Sequence, residues 1–226
     1  MSIKENIARV MERVRKTAEQ TGRDPDEITI VAVAKMVPPE KIEEAILYGI
    51  KIIGENRVQE AKAKFGVLGD RVTWHMVGHL QTNKVKDAIK IFSMIQSLDS
   101  LRLASEIEKR IEPAIDCLVE VNTSKEQSKY GISPHEAFDF FESLKQFKKI
   151  NVVGLMTIGP GWAIQDPEAS RPCFRLLCDI RDELAQEFDR PLPILSMGMT
   201  SDFEVAIEEG ANVIRVGRAI FGPREY

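Results

Sequence analysis

The first residue with the makings of chemistry is a lysine at the end of an apolar run. Lys35 closes Ile30-Val31-Ala32-Val33-Ala34-Lys35, with no acidic residue within four positions on either side. An amine turned inward from such a run loses hydration, which favours the neutral form that condenses with a carbonyl. The plainer reading is a lysine that snorkels from a strand end into water.

Two later segments have the makings of an anion site. Ser196-Met197-Gly198-Met199-Thr200-Ser201 brings hydroxyls and a glycine to a predicted helix start, where unpaired N–H groups and the helix dipole favour a phosphate. Val216-Gly217-Arg218-Ala219 puts a second glycine at the next strand end. Alone, Gly198 and Gly217 read as tight turns and Ser201 as a helix cap. Side by side with a strand-end lysine, the two loops match the usual phosphate position of an α/β barrel.

Arg215 stands between Ile214 and Val216 inside an apolar strand, so its guanidinium must find a partner or a cavity. An ion pair with a strand-end carboxylate such as Glu120 is the structural alternative. Glu55, Asn56, His79, Gln81 and Asn83 are polar groups at the same predicted mouth. His75 and His79 are four apart but lie in a strand and its turn, without an acidic neighbour at ligand spacing, which argues against zinc. Cys117, Cys173 and Cys178 form an odd set without metal-ligand spacing and read as small core hydrophobes.

These groups need a scaffold that gathers strand ends, and the chain supplies one by alternation. Ser2 and Glu5 form a capping box before a helix whose apolar positions run from Ile3 to Ala18. Strands are expected at 28–34, 51–54, 72–77, 92–96, 116–121, 151–156, 194–197 and 213–216. Helices between them are expected at 57–65, 82–90 and about 101–111, among others, with further capping boxes at Ser133–Glu136 and Ser201–Glu204. Strands alternating with helices imply parallel pairing, and eight units in 226 residues imply a closed (β/α)8 TIM barrel, one α/β domain over 1–226. Too little chain follows the eighth strand for a full helix, so the extra N-terminal helix is expected to complete the outer ring. An open doubly wound sheet is the runner-up, disfavoured because no strand end carries a Gly-x-Gly-x-x-Gly fingerprint.

Composition narrows the classes. With 31 Lys plus Arg against 35 Asp plus Glu and a net charge of −4, the chain lacks the basic balance of a nucleic-acid binder. Hydrophobic residues at 43% provide a real core, and the N-terminal residues show neither a signal peptide nor a membrane segment, so a cytoplasmic protein is expected. No heptad or large apolar strip calls for self-association, which makes a monomer the default.

Val31-Ala32-Val33-Ala34-Lys35, Gly54-Glu55-Asn56-Arg57-Val58-Gln59-Glu60, the run from Trp74 to Lys84, Gly154-Leu155-Met156, Ser196-Met197-Gly198-Met199 and the run from Arg215 to Gly222 fall in order over nearly the whole chain. Together they closely resemble the YggS-like pyridoxal 5′-phosphate homeostasis proteins. The resemblance implies a barrel like the N-terminal domain of alanine racemase, of the type III pyridoxal-phosphate fold. It also implies pyridoxal phosphate (PLP) held as a Schiff base on Lys35, with Arg215 at the pyridine nitrogen. The phosphate is then placed among Ser196, Thr200 or Ser201 and the backbone of Gly217 and Arg218, and Asn56 near the ring hydroxyl. Three positions depart from the pattern. Ala34 and Met36 stand where many relatives carry Ser and Thr, and Arg218 stands where many carry Thr or Ser.

The resemblance implies a carrier that holds PLP in reserve, with PLP-dependent apoenzymes as recipients. A racemase-type enzyme is the alternative. An arginine at the pyridine nitrogen disfavours its protonation and weakens the ring as an electron sink. Alanine racemase takes its second base, a tyrosine, from an additional domain and a partner subunit. Here only Tyr48, Tyr130 and Tyr226 are available, none in a matching motif, so little or no catalysis is expected. A barrel aldolase using Lys35 on a sugar phosphate is the third reading.

Overall fold

Strands that are apolar on both faces need cover on both faces, and the architecture supplies it. A computed structural model describes residues 2–223. Its strands are β1 (Thr29–Val33), β2 (Ile52–Glu55), β3 (Thr73–Met76), β4 (Met94–Leu98), β5 (Ile115–Glu120), β6 (Ile150–Met156), β7 (Ile194–Ser196) and β8 (Val213–Val216). They form a closed parallel barrel in sequence order. Closure comes from β8 against β1, with Val31 opposite Arg215 and Ala32 opposite Val216. Tyr226 lies outside the described residues.

The side-chain period of two divides each strand between barrel interior and helix layer. Val31, Val33, Ile52, Val77, Ile194 and Val213 pack together inside, and Met94, Leu118 and Met156 form a second interior cluster. Their strand neighbours Ala32, Ile53, Ile95, Cys117, Leu155, Leu195 and Ile214 face outward into the main core.

Helices α1 (Ile3–Gln20), α2 (Pro39–Leu47), α3 (Val58–Leu68), α4 (Val85–Ala88), α5 (Leu101–Glu108), α6 (Ala137–Leu144), α7 (Arg171–Glu187), α8 (Phe203–Glu208) and α9 (Arg218–Phe221) make the outer ring. The Ser2–Glu5 capping box opens α1, whose Ile3, Ile7, Val10, Val14 and Ala18 are buried. Each buried aliphatic side chain contributes roughly 1.5–3 kcal/mol. This helix packs on α2, α8 and α9, closing the ring as expected. Arg13 fastens it to α8 through two bonds to Glu204, 2.6 and 2.7 Å long.

Three expectations change. The helix expected over 82–90 is a 3-10 turn, Thr82–Lys84, followed by the single turn of α4, because the chain must drop at once into β4. The capping box expected at Ser201 is absent: α8 starts at Phe203 with Asp202 before it, whose Oδ1 accepts the Met199 N–H. Of the cysteines only Cys117 is buried; Cys173 and Cys178 are half-buried on α7. The capping box at Ser133–Glu136 is present, opening a 3-10 turn that runs into α6. Among the described residues, no helix is long and apolar enough to cross a membrane.

Candidate functional site

Beneath the carboxyl ends of the strands, the barrel interior changes from apolar to polar. Arg215, on β8, is buried, and its guanidinium donates to Ser196 Oγ at 2.7 Å and to the Thr157 carbonyl at 2.7 Å. Ser196 Oγ donates in turn to Gln96 Oε1 at 2.6 Å, and Gln96 Nε2 lies 2.9 Å from His75 Nδ1. Burial holds His75 down to about 4, so at neutral pH its uncharged ring accepts from the Gln96 amide. The donors therefore run in one direction, from Arg215 through Ser196 and Gln96 to His75, across strands β8, β7, β4 and β3. Such a chain is strengthened by its low-dielectric surroundings.

Two charges frame it. Burial lowers Arg215 to about 10, opposed by Glu120 and Asp202, and leaves it cationic at neutral pH. Glu120, buried at the end of β5, is pushed up to about 7 by burial and then by Asp99, against the pull of Arg215. The Arg215–Glu120 pairing, the structural alternative for this arginine, is thus a through-space interaction, while the hydrogen bonds of Arg215 go to Ser196 and Thr157.

Lys35 stands at the rim, half-buried, just past β1. Its backbone is held from outside the barrel. Lys64, on the buried face of α3, reaches the Ala34 carbonyl and Glu55 Oε1, each at 2.6 Å, and Glu60 Oε2 accepts the Met36 N–H at 3.0 Å. Met36 sits at φ 62, a left-handed conformation that swings the chain away immediately after the lysine. Glu55 is fully buried and raised, foremost by desolvation, with Lys64 opposing. Its Oε2 has no partner.

Lys35 lines a cavity of about 490 Å³ shared with Asn56, Arg57, Gln81, Lys84, His79 and Tyr130. His79 Nδ1 lies 2.7 Å from Asp99 Oδ2, and its ring stacks on Tyr130 with centroids 3.9 Å apart. Gly78 lets the β3 loop close over Asn56: a Cβ there would sit 2.7 Å from the Asn56 carbonyl oxygen.

On the other side of β1 lie the two glycine loops. Gly198 has φ +88, and a Cβ on it would meet Ala206 at 2.5 Å, so only glycine allows this turn to rest on α8. Gly217 precedes α9, and a Cβ on it would lie 3.0 Å from the Val33 carbonyl. Thr200 Oγ1 is 3.4 Å from the Ala219 N–H, which ties the β7 loop to the start of α9. The first N–H groups of that helix have no intrahelical acceptor.

The fold therefore brings Lys35 and Asn56 to one cavity and Ser196 and Arg215 to one polar chain. Thr200 and Gly217 meet at one helix start beside β1. Ser201 is half-buried next to them, and the Arg218 side chain is exposed. Sequence reasoning missed Gln96, Asp99, Lys64 and Asp202. Lys64 was findable, since it shares the helical stripe of Val58, Ala61 and Leu68. Gln96 sits beside Ser97 in β4, and its link to Ser196 spans a hundred residues, a distance no local signal crosses. Among the described residues, no cluster of three His, Cys, Asp or Glu side chains is placed to hold a metal ion.

Comparison with known proteins agrees with this fold. Residues 2–225 match the family model described as alanine racemase, N-terminal domain. The pyridoxal phosphate homeostasis protein of Aquifex aeolicus is 44% identical over the full length of both chains. The solved structure of PipY from Synechococcus elongatus with PLP bound is 33% identical and superposes with a TM-score of 0.81, over 94% of this chain and 100% of that one. Alanine racemase of Clostridium difficile, at 15% identity and a TM-score of 0.74 over 98% of this chain and 58% of its own, shares the fold. The chain belongs to the pyridoxal phosphate homeostasis proteins, built on the barrel of the alanine racemase N-terminal domain.

Proposed function

We propose that this protein binds PLP at the mouth of its barrel and holds it in reserve for other proteins of the cytoplasm, as a monomer and with little or no catalysis of its own. One observation carries the reading: a rim lysine with an anchored backbone stands beside a glycine-lined helix start and above a buried, protonated arginine. PLP supplies an aldehyde that a primary amine can capture, together with a dianionic phosphate.

The residues present fit such a group. Lys35 offers the amine. The N–H groups of Gly217 and Arg218, with Thr200 and Ser201, offer donors to the phosphate at a point where no Cβ stands in the way. Arg215 spends two bonds on Ser196 and Thr157 and keeps further donors for the ring nitrogen. Ser196 acts one layer lower, by fixing that guanidinium. Asn56 is placed for the ring hydroxyl.

A cation at the ring nitrogen keeps that nitrogen unprotonated, which suits storage better than carbanion chemistry. The racemase alternative draws on one observation, the presence of Tyr130 and the Asp99-bound His79 in the Lys35 cavity. The deciding experiment is a visible spectrum of the purified protein, then borohydride reduction and peptide mapping. The label is expected on Lys35, with Lys35→Ala folded and colourless. An unchanged band in that variant would move the site to another lysine, and amino-acid racemisation at about 1 per second or faster would restore the enzyme reading.

A further inference from the structure

The Lys35 cavity has a charge pattern that one bound cofactor does not use up. Three cations line it, Lys35, Arg57 and Lys84, and no carboxylate does, in a chain whose net charge is −4. Among the described residues, Lys35 and Lys84 form no ion pair, and Arg57 has only a 3.7 Å approach to Glu60. Of the acids at its edge, Glu60 accepts the Met36 N–H at 3.0 Å and Asp99 is turned to His79 at 2.7 Å, and neither lines the cavity. Asn56 and Gln81 add amide donors to the wall. Like charges converging on a concave surface raise the local potential, and the cheapest relief is an anion.

This cavity opens on the β2–β3 side of Lys35, whereas the glycine loops lie on the β8 side. The two anion-attracting regions therefore flank the same amine. Lys84 is held for the purpose by its turn, since its N–H donates to the Gln81 carbonyl at 2.9 Å and both residues line the cavity. The His79–Tyr130 stack forms a flat wall that suits a small planar group.

We propose that the β2–β3 side of the mouth is a second oxyanion site, taking a small carboxylate or phosphate compound against Lys84 and Arg57 while Lys35 is engaged with PLP. The inference shares Lys35 and Asn56 with the proposed function but rests on Lys84 and Arg57, which that function does not use. It gives the carrier a place where an anionic metabolite meets the stored cofactor.

The test is calorimetric titration of the PLP-loaded protein with propionate, inorganic phosphate and the neutral analogue propionamide, at fixed ionic strength. Saturable binding of propionate, phosphate or both is expected, with propionamide silent. Propionate alone assigns the site to organic acids and phosphate alone to phosphorylated compounds. Lys84→Met is expected to weaken binding about tenfold or more, and Lys90→Met, an exposed lysine outside the cavity, to leave it unchanged. Equal affinity in Lys84→Met, binding of propionamide, or no saturation by either anion overturns the proposal. If the protein takes up no PLP, the storage reading fails. The same titrations on the unloaded protein then test the site alone, through the part of the binding that Lys84→Met removes.

Discussion

The ammonium of Lys64 lies 2.6 Å from the carbonyl oxygen of Ala34, the residue immediately before Lys35. The residue immediately after, Met36, gives its N–H to Glu60. Lys35 is thus held at both flanking peptide groups by a network outside the barrel. This arrangement carries a non-glycine residue at φ 62, a conformation that costs on the order of 1–2 kcal/mol and persists only where neighbours enforce it.

Removing the clamp leaves Glu55 buried without its partner. Lys64→Met is therefore expected to lower stability by about 3–5 kcal/mol, and Lys64→Met with Glu55→Gln to recover a large part of that loss. Urea unfolding measures both. In the double variant, which regains stability without the Ala34 contact, PLP affinity is expected to stay below wild type. Full recovery of affinity there would limit Lys64 to a stabilising role.

Ser196→Ala cuts the directional chain at its centre. It strips the acceptor from Arg215 and the donor from Gln96, both buried, and each orphaned group costs about 1–3 kcal/mol. A drop in stability is expected together with weaker PLP binding, because Arg215 loses its fixed orientation. Ser196→Thr keeps the hydroxyl and is expected to keep more of the affinity than Ala. Indistinguishable affinities for Thr and Ala would show that the hydroxyl does not orient the arginine.

The barrel was legible because its signals are local. Apolar runs such as Ile30–Ala34, capping at Ser2 and the rhythm of strand and helix each depend on neighbours in sequence. The rim residues Lys35, Asn56 and Gly217 were legible for the same reason, since strand ends can be counted. The polar layer was not. Arg215 predicted a partner, but the choice between Glu120 and Ser196 depends on how β7 and β8 are staggered, and those strands share a single register pair, Ser196 with Val213. The start of α8 was misplaced by one position: Asp202 precedes the helix, and its carboxylate accepts from the Met199 N–H and the Ser170 hydroxyl, not from the helix.

Gly198→Ala tests whether the β7 loop must keep its shape. The new methyl group would lie 2.5 Å from Ala206 Cβ and would hold a side chain at φ +88. Strain and overpacking of about 1–3 kcal/mol each are expected, with a matching fall in unfolding temperature and in PLP affinity. Gly222→Ala shares a positive φ of 86 but has open space around its Cβ, and is expected to cost less. A reversed order would mean that contact with α8 does not set the loop.

The pH dependence of stability separates the two buried groups that flank the polar chain. Glu120 rises from 4.5 to about 7, so between these values the folded protein binds more protons than the unfolded chain. Its contribution is complete below pH 4.5 and is lost as pH rises through 7, by up to about 3 kcal/mol. His75 falls from 6.5 to about 4, so the unfolded chain binds more protons, and stability present above pH 6.5 is lost as pH drops through 4, again by up to about 3 kcal/mol. The two slopes oppose each other and largely cancel between about pH 4.5 and 6.5. Wild type is therefore expected to show a shallow profile there. Glu120→Gln steepens the loss of stability toward acid, and His75→Gln leaves stability falling as pH rises toward 7. Denaturant unfolding at steps of pH from 4 to 8 reads both slopes, and two variants with profiles parallel to wild type would show that neither group titrates differently in the folded protein.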